Sequence, residues 1–270
     1  MINKLVFFGG GNMAEAIFSK LRNNPSFNIE IIQNNHERAQ ELSHKYPEFR
    51  IQQTLDNTLD KDDILIIAVK PQHAKEAIAP IKEKIKNCII ISVMAGIPSQ
   101  TIINWTNNQR VVRTMPNTPA SLGLGATAIY CPELVTAQER TLIYSIFEAI
   151  GIIYPAQDES FVDKVLPVTS STVAFIYYFI EGFINHAVER YGFTETDARN
   201  LVNQTVMGSS AMINKNPDIA IEELRARVTS KKGTTEQGIL TFEANGLHDI
   251  IAKAMDNCYN RALEMAKEFN

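Results

Sequence analysis

Three consecutive glycines, Gly9, Gly10 and Gly11, close a short apolar run (Lys4 to Phe8) and open a segment, Asn12 to Leu21, whose apolar residues Met13, Ala16, Ile17 and Leu21 recur at helical spacing. Strand, tight turn and helix in that order leave few folds open. The pattern Gly9-x-Gly11-x-x-Ala14 has a physical reading in this context. Gly9 allows the tight turn, Gly11 lets an anion approach the backbone, and a small residue at 14 lets the helix pack closely on the sheet, with Asn12 and Met13 opening the helix at its positive end.

The rest of the first half keeps the same alternation. Ile29 to Gln33 reads as a second strand, followed by a helix through Tyr46 and a short third strand that is hard to place. Ile64 to Val69 is an uninterrupted apolar run, as a strand covered on both faces should be, and it stops at Lys70-Pro71. Cys88 to Val93 repeats it, with a kinked or divided helix between them because Pro80 interrupts His73 to Lys86. Ile97 to Trp105, Val111 to Met115, Ala126 to Tyr130 and Thr136 to Ile150 continue the series. The expectation is an α/β fold whose N-terminal domain, residues 1–156, is a doubly wound Rossmann sheet.

After Tyr154-Pro155 the strand signal disappears, and residues 157–270 read as helices over Asp158 to Tyr191, Thr194 to Asn214, Pro217 to Val228, Thr234 to Asn245 and Leu247 to Phe269. The stretch Val173 to Ile184 reads as a buried helix. Apolar residues on this first long helix are too numerous for one face of a small bundle, so a subunit partner is the simple explanation; the alternative is a central helix wrapped by the four later ones.

Charge and cysteine content exclude several classes. Lys plus Arg number 26 against 30 Asp plus Glu, a net charge of -4, which offers no basic field to a nucleic-acid backbone. Cys88, Cys131 and Cys258 are widely spaced and read as reduced and structural. The five histidines make no metal-binding pair, so no metal is expected. The apolar run in MINKLVFFGG is too short for a signal peptide and no later stretch approaches 18 consecutive apolar residues, so a soluble cytoplasmic protein with no membrane partner is expected.

At the end of the second strand, sites that prefer NAD carry an acidic residue about 20 positions beyond the glycines. Here Asn34 and Asn35 stand there, with His36 and Arg38 near enough to supply positive charge. NADPH is the expected cofactor, with NADH still open. Arg38 reads equally well as part of a solvated helix face.

The stretches GGGNMAEAI, DDILIIAVKPQ, IISVMAGIPS, VVRTMPNTPASLGLGAT and VTSKKGTTEQGI occur in order along essentially the whole chain. Together they resemble the pyrroline-5-carboxylate reductases. The resemblance implies an all-helical C-terminal domain similar to that of 6-phosphogluconate dehydrogenases, serving substrate binding and dimerisation, with a higher oligomer of dimers left open. It implies that Ala68, Val69, Lys70 and Pro71 form a loop over the cofactor and that Met94, Ala95 and Gly96 lie beside it. It further implies that Thr235 contacts the nitrogen of a cyclic imine carboxylate while Ser230, Gly233 and Thr234 receive its carboxylate. The reaction implied is NAD(P)H-dependent reduction of 1-pyrroline-5-carboxylate to proline. Asn117, between two prolines, reads as a turn residue near the cofactor.

Two departures from the family stand out. Its usual SGSGPAY corresponds to Thr169 to Phe175, which lacks both glycines and the proline, and its SPGGTT becomes Ser230-Lys231-Lys232-Gly233-Thr234-Thr235. A related cyclic imine, or a nucleotide-binding regulatory protein without turnover, are the alternatives these changes raise. A β-hydroxyacid dehydrogenase would need a catalytic lysine in a K-x-x-N pattern; Lys164 is followed by Val165-Leu166-Pro167, so that pattern is absent and Lys164 reads as a solvent-facing residue.

Overall fold

The computed structural model describes residues 4–269, so the reading of the extreme N-terminus lies partly outside the described residues. Eight strands, β1 (Leu5–Phe8), β2 (Ile29–Ile32), β3 (Arg50–Gln52), β4 (Ile64–Ile67), β5 (Ile89–Ser92), β6 (Val111–Met115), β7 (Gly125–Tyr130) and β8 (Gly151–Pro155), form one sheet in the order β3-β2-β1-β4-β5-β6-β7-β8. Six of the neighbouring pairs are parallel and β6–β7 is antiparallel. The exception follows from chain length: only a 3₁₀ turn, Thr118–Leu122, separates β6 from β7, too little chain for the crossover that parallel pairing requires.

Every residue of β1, β2, β4 and β5 is buried, and the period of two divides their side chains between the faces. Leu5, Phe7, Ile31, Ile64, Ile66 and Ile91 meet α1 (Asn12–Leu21) and α5 (Ala137–Glu148) through Ile17, Phe18, Ile143 and Phe147. Val6, Phe8, Leu65, Ile67 and Ile90 meet α3 (Pro71–Ile78) and α4 (Ser99–Thr106) through Ala74, Ile78 and Ile102. The second crossover helix, α2, spans His36–Lys45. The helix anticipated over His73 to Lys86 is divided, α3 giving way at Ala79 to a 3₁₀ stretch, Ala79–Ile85, that holds Pro80.

Beyond β8 the long helix anticipated from Asp158 to Tyr191 is interrupted. α6 (Ser160–Val165) passes into one π-helical stretch, Leu166–Ser170, before α7 (Ser171–Tyr191). Pro167 sits at the start of that stretch and has no N–H to donate, and the Ser171 N–H reaches back to the Leu166 carbonyl. There follow α8 (Glu195–Lys215), α9 (Ile221–Arg227), α10 (Thr234–Ala244) and α11 (Leu247–Glu268).

The chain forms two compact units: one runs through Ser171 and takes in the residues from Asn257 on, the other is Thr172–Asp256. The change to all-helical sequence near 156 therefore precedes the division between packing units, because α6 packs on the sheet through Val162, which joins Met115 and Ala128 in a third small core.

The expectation of a buried helix over Val173 to Ile184 is corrected: α7 has no buried residue in the single chain, and Ile176, Tyr177, Tyr178 and Phe183 are exposed. Nor do the later helices wrap it, since Ala198 is the one buried apolar residue between 172 and 256. Such extended apolar exposure marks a surface that another chain covers. By length and composition alone, Ser160–Tyr191 is also long and apolar enough to cross a membrane. The cysteines are unpaired; burial pushes the Cys88 thiol up to about 12 and that of Cys131 up to about 11.

Candidate functional site

The glycine turn sits at the C-terminal end of β1, beside β4, where the strand order runs outward in both directions. This is the position at which a doubly wound sheet leaves a crevice for a ligand. Gly9 adopts φ +106°, and a Cβ there would lie 2.7 Å from the Ala68 carbonyl oxygen, so the loops after β1 and β4 touch only because Gly9 has no side chain. Gly11 differs. It caps α1 with extended backbone and no side-chain hydrogen bond, and a Cβ placed on it would meet nothing within 4 Å. The first N–H groups of α1 thus face open space, the arrangement that accepts a phosphate. Asn12 is exposed there, Met13 is half-buried against the core, and Ala14 is buried, as close packing of helix on sheet requires.

At the end of β2 the cations are placed unequally. Arg38 turns inward: its Nε donates to the Gly10 carbonyl at 3.0 Å and its guanidinium pairs with Glu15 and, at 2.7 Å, with Glu41. It is therefore not part of a solvated face, and its charge is already compensated. Asn35 accepts from the Arg38 backbone N–H at 2.8 Å and so caps α2, while Asn34 is exposed. His36 contacts Gln53 through Nδ1 at 3.2 Å and has no acidic partner among the described residues.

Glu15 is held by Lys45 at 2.6 Å and Tyr46 at 3.0 Å as well as by Arg38. Burial pushes its carboxyl up, but Lys45, Arg38 and Tyr46 outweigh that and hold it below the usual 4.5. A carboxylate with a depressed native pKa contributes stability above its unfolded value and loses it as the pH falls through the folded one. Glu15→Gln is expected to cost about 1 kcal/mol at neutral pH. In urea titrations the gap between variant and parent should narrow as the pH falls below the usual carboxylate value and close once it passes the depressed folded one.

The loops after β4 and β5 lie side by side, the Val93 N–H donating to the Ile67 carbonyl at 3.2 Å. Ala68 and Val69 are half-buried; Lys70 caps α3 with an exposed side chain that has no ion-pair partner among the described residues, and Pro71 is the first residue of that helix. After β5, Met94 is buried and its N–H donates to Ser92 Oγ at 3.2 Å, so this loop offers backbone and the half-buried Ala95 to a ligand, not the Met94 side chain. Gly96 is at φ +71°. Asn117 is structural: its amide donates to the Thr169 carbonyl at 3.1 Å and its carbonyl accepts from the Ala126 N–H at 2.9 Å. The fold thus gathers the proposed cofactor residues on four adjacent strand ends, β2, β1, β4 and β5.

Ser230, Gly233, Thr234 and Thr235 belong to the second compact unit. Gly233 caps α10 with extended backbone, and neither Ser230 nor Thr234 makes a side-chain cap. A Cβ on Gly233 would fall on Ser230 Oγ, so a glycine is needed for this turn to close. Thr234 and Thr235 are exposed, leaving two hydroxyls and the first-turn N–H groups of α10 available as donors. Lys232, where the resembled family carries glycine, adopts φ +60° and is steadied by Glu236, whose carboxylate accepts its N–H at 2.6 Å. A left-handed non-glycine residue costs about 1–2 kcal/mol, partly offset by the chain entropy a glycine would lose. Lys232→Gly should raise unfolding free energy by about 0.5–1 kcal/mol in denaturant titrations.

Sequence reading passed over one buried charge cluster. Arg113, on β6, is 2% exposed and pairs with Asp163 at 2.7 Å and Glu159 at 3.0 Å; Glu159 also accepts from Ser99 N at 2.6 Å and Ser99 Oγ at 2.5 Å. These bonds fasten β6, α4 and α6 together. The available signal was an arginine inside the apolar run VVRTM and two acids four residues apart ahead of the long helix. Farther along the chain, Ser170 closes the π-helical stretch with a buried hydroxyl that has no hydrogen-bond partner among the described residues, in the segment that lacks the family's glycines. Among the described residues no cluster suited to a metal ion occurs.

Comparison with known proteins bears on both halves. Residues 159–265 match the family described as pyrroline-5-carboxylate reductase dimerisation, and residues 4–96 match that described as NADP oxidoreductase, coenzyme F420-dependent. The pyrroline-5-carboxylate reductase of Vibrio alginolyticus is 34% identical over 98% of both chains, and that of Haemophilus influenzae 30% identical over the full length of both. The solved structure of a pyrroline-5-carboxylate reductase from Coxiella burnetii superposes with a TM-score of 0.85 at 29% identity, covering 98% of this chain and 99% of the other. That from Streptococcus pyogenes superposes with a TM-score of 0.85 at 25% identity, covering 97% and 98%.

Proposed function

The chain belongs to the pyrroline-5-carboxylate reductase family, and from that premise we propose that it reduces 1-pyrroline-5-carboxylate to L-proline with NADPH, the last step of proline biosynthesis. The observation that carries the reading is the turn at Gly9 to Gly11: an uncapped helix start, open where a Cβ would stand, at the switch point of the sheet.

A dinucleotide fits this chain's own groups. Backbone N–H groups at Gly11, Asn12 and Met13 receive the pyrophosphate, and Gly9 keeps the β4 loop close. Asn34 and Asn35 with His36 receive the adenosine ribose and its 2′-phosphate, amides standing at the position where NAD-preferring sites carry an acid; Arg38 supports them by holding the loop at Gly10. NADPH is therefore preferred and NADH is the weaker donor. Ala68, Val69, Lys70 and Pro71 cover the cofactor, and Met94, Ala95 and Gly96 border its nicotinamide end.

When bound, NADPH supplies the hydride that reduces the imine carbon. The imine nitrogen arrives protonated, so the chain's task is orientation more than acid catalysis. Thr235 Oγ1 hydrogen-bonds the ring nitrogen, and the N–H and hydroxyl donors of Ser230, Gly233 and Thr234 hold the carboxylate. The helical region from 157 on serves substrate binding and dimerisation, as its exposed apolar residues support. Lys231 and Lys232 add charge beside the carboxylate donors, which motivates testing the six-membered cyclic imine as a second substrate.

Thr235→Ala is expected to lower kcat/KM for the imine about 10²-fold while leaving the NADPH dissociation constant within about twofold. Equal turnover by parent and variant would remove Thr235 from the substrate site.

A further inference from the structure

The C-terminal end of α11 is built to face the β5 loop. Ala262, Met265, Ala266 and Phe269 are buried or half-buried and recur at i, i+3, i+4 and i+7, one stripe of a helix. The opposite face is charged and exposed, with Arg261 pairing with Glu264 at 3.0 Å and Glu268 at 2.8 Å. The stripe meets the loop at two points. A Cβ on Gly96 would lie 3.2 Å from Met265 Cβ and 3.6 Å from the Ala262 carbonyl oxygen. Phe269 packs into the core that holds Met94, Ile97 and Ile102.

Gly96 is thus fixed from two sides: its φ of +71° sets the turn, and α11 stands close enough against it to crowd a methyl group there. From the loop's own side the Met94 N–H to Ser92 Oγ bond and the burial of Met94 and Ile97 steady the turn. We infer that the last turns of α11, through Met265, are a positioning element for the Met94–Gly96 loop and thereby set the nicotinamide end of the cofactor site, while the adenosine end at Gly9 to His36 is independent of them. This rests on the cofactor reading above. Met265 is a positioning residue, not a catalytic one, because it acts through Gly96.

The test separates the two ends of the cofactor. Full-length parent, Met265→Ala and Met265→Leu are titrated with NADPH and with 2′-phospho-ADP-ribose, which lacks nicotinamide, and hydrogen exchange is followed over residues 93–97. In Met265→Ala, NADPH affinity is expected to fall about tenfold, within the roughly 10²-fold that an ångström of misplacement costs. Affinity for 2′-phospho-ADP-ribose should stay within about twofold and exchange in the loop should rise. Met265→Leu, of similar volume, should restore both. Equal losses for the two ligands, or none for either with unchanged exchange, would overturn the inference. Failure of the parent itself to bind NADPH would instead overturn the cofactor reading and the inference with it.

Discussion

Replacing Asp163 with alanine is expected to lower unfolding free energy by about 3 kcal/mol. Arg113 is buried between β6 and α6 and cannot shed its charge, so loss of its shortest partner leaves a guanidinium compensated by Glu159 alone. The same group is a poor place to seek net stabilisation. Arg113→Met removes the buried charge and frees Glu159 and Asp163, both partly exposed, to turn to water; it should cost less than half as much. Denaturant titration of parent and both variants checks the order. A larger loss for Arg113→Met would mean that the guanidinium gains more from its partners than it loses by burial.

The glycine turn gives the other large effect, because its two outer glycines are needed for different reasons. At Gly11 a side chain has room, so Gly11→Val should fold with an unchanged melting temperature yet bind NADPH at least about 10²-fold more weakly, its branched side chain occupying the space proposed for the pyrophosphate. At Gly9 the φ of +106° and the 2.7 Å approach to Ala68 oppose any side chain, so Gly9→Val should lose stability first and affinity as a consequence. Thermal denaturation alongside fluorescence titration distinguishes them. Full NADPH affinity in a folded Gly11→Val protein would argue against this turn as the phosphate site.

Most of the sheet was legible because buried parallel strands leave uninterrupted apolar runs, as in Ile64 to Ile67 and Ile89 to Ser92, and because α1 and β6 end where glycine, proline and apolar spacing say they should. β8 was not singled out: Gly151 to Pro155 is a half-exposed edge strand, and Ile152 and Tyr154 give no buried pattern to read. The π-helical stretch was invisible because its spacing departs from 3.6 only over Leu166 to Ser170. The burial of α7 was misjudged for a different reason. Composition reports that its apolar face needs covering, not which chain covers it, and the single chain leaves it open.

At the site, backbone features were easier to foresee than side-chain pairings. Gly9 was placed by the turn it permits, Gly11 by the approach it leaves open and Gly233 by resemblance, and the structure gives each a close approach or an open space that matches a glycine. Arg38 could not be placed from sequence, since its inward turn depends on Glu15, 23 residues earlier, and on the Gly10 carbonyl. Asp163 and Arg113, 50 residues apart, were missed on the same ground: long-range ion pairs leave no periodicity.

The most direct measurement is NADPH oxidation, followed by absorbance, by the purified full-length protein supplied with 1-pyrroline-5-carboxylate, with proline quantified as product. The account predicts imine-dependent oxidation with one proline formed per NADPH consumed, faster than with NADH. Clear NADPH binding without any proline formed would contradict it.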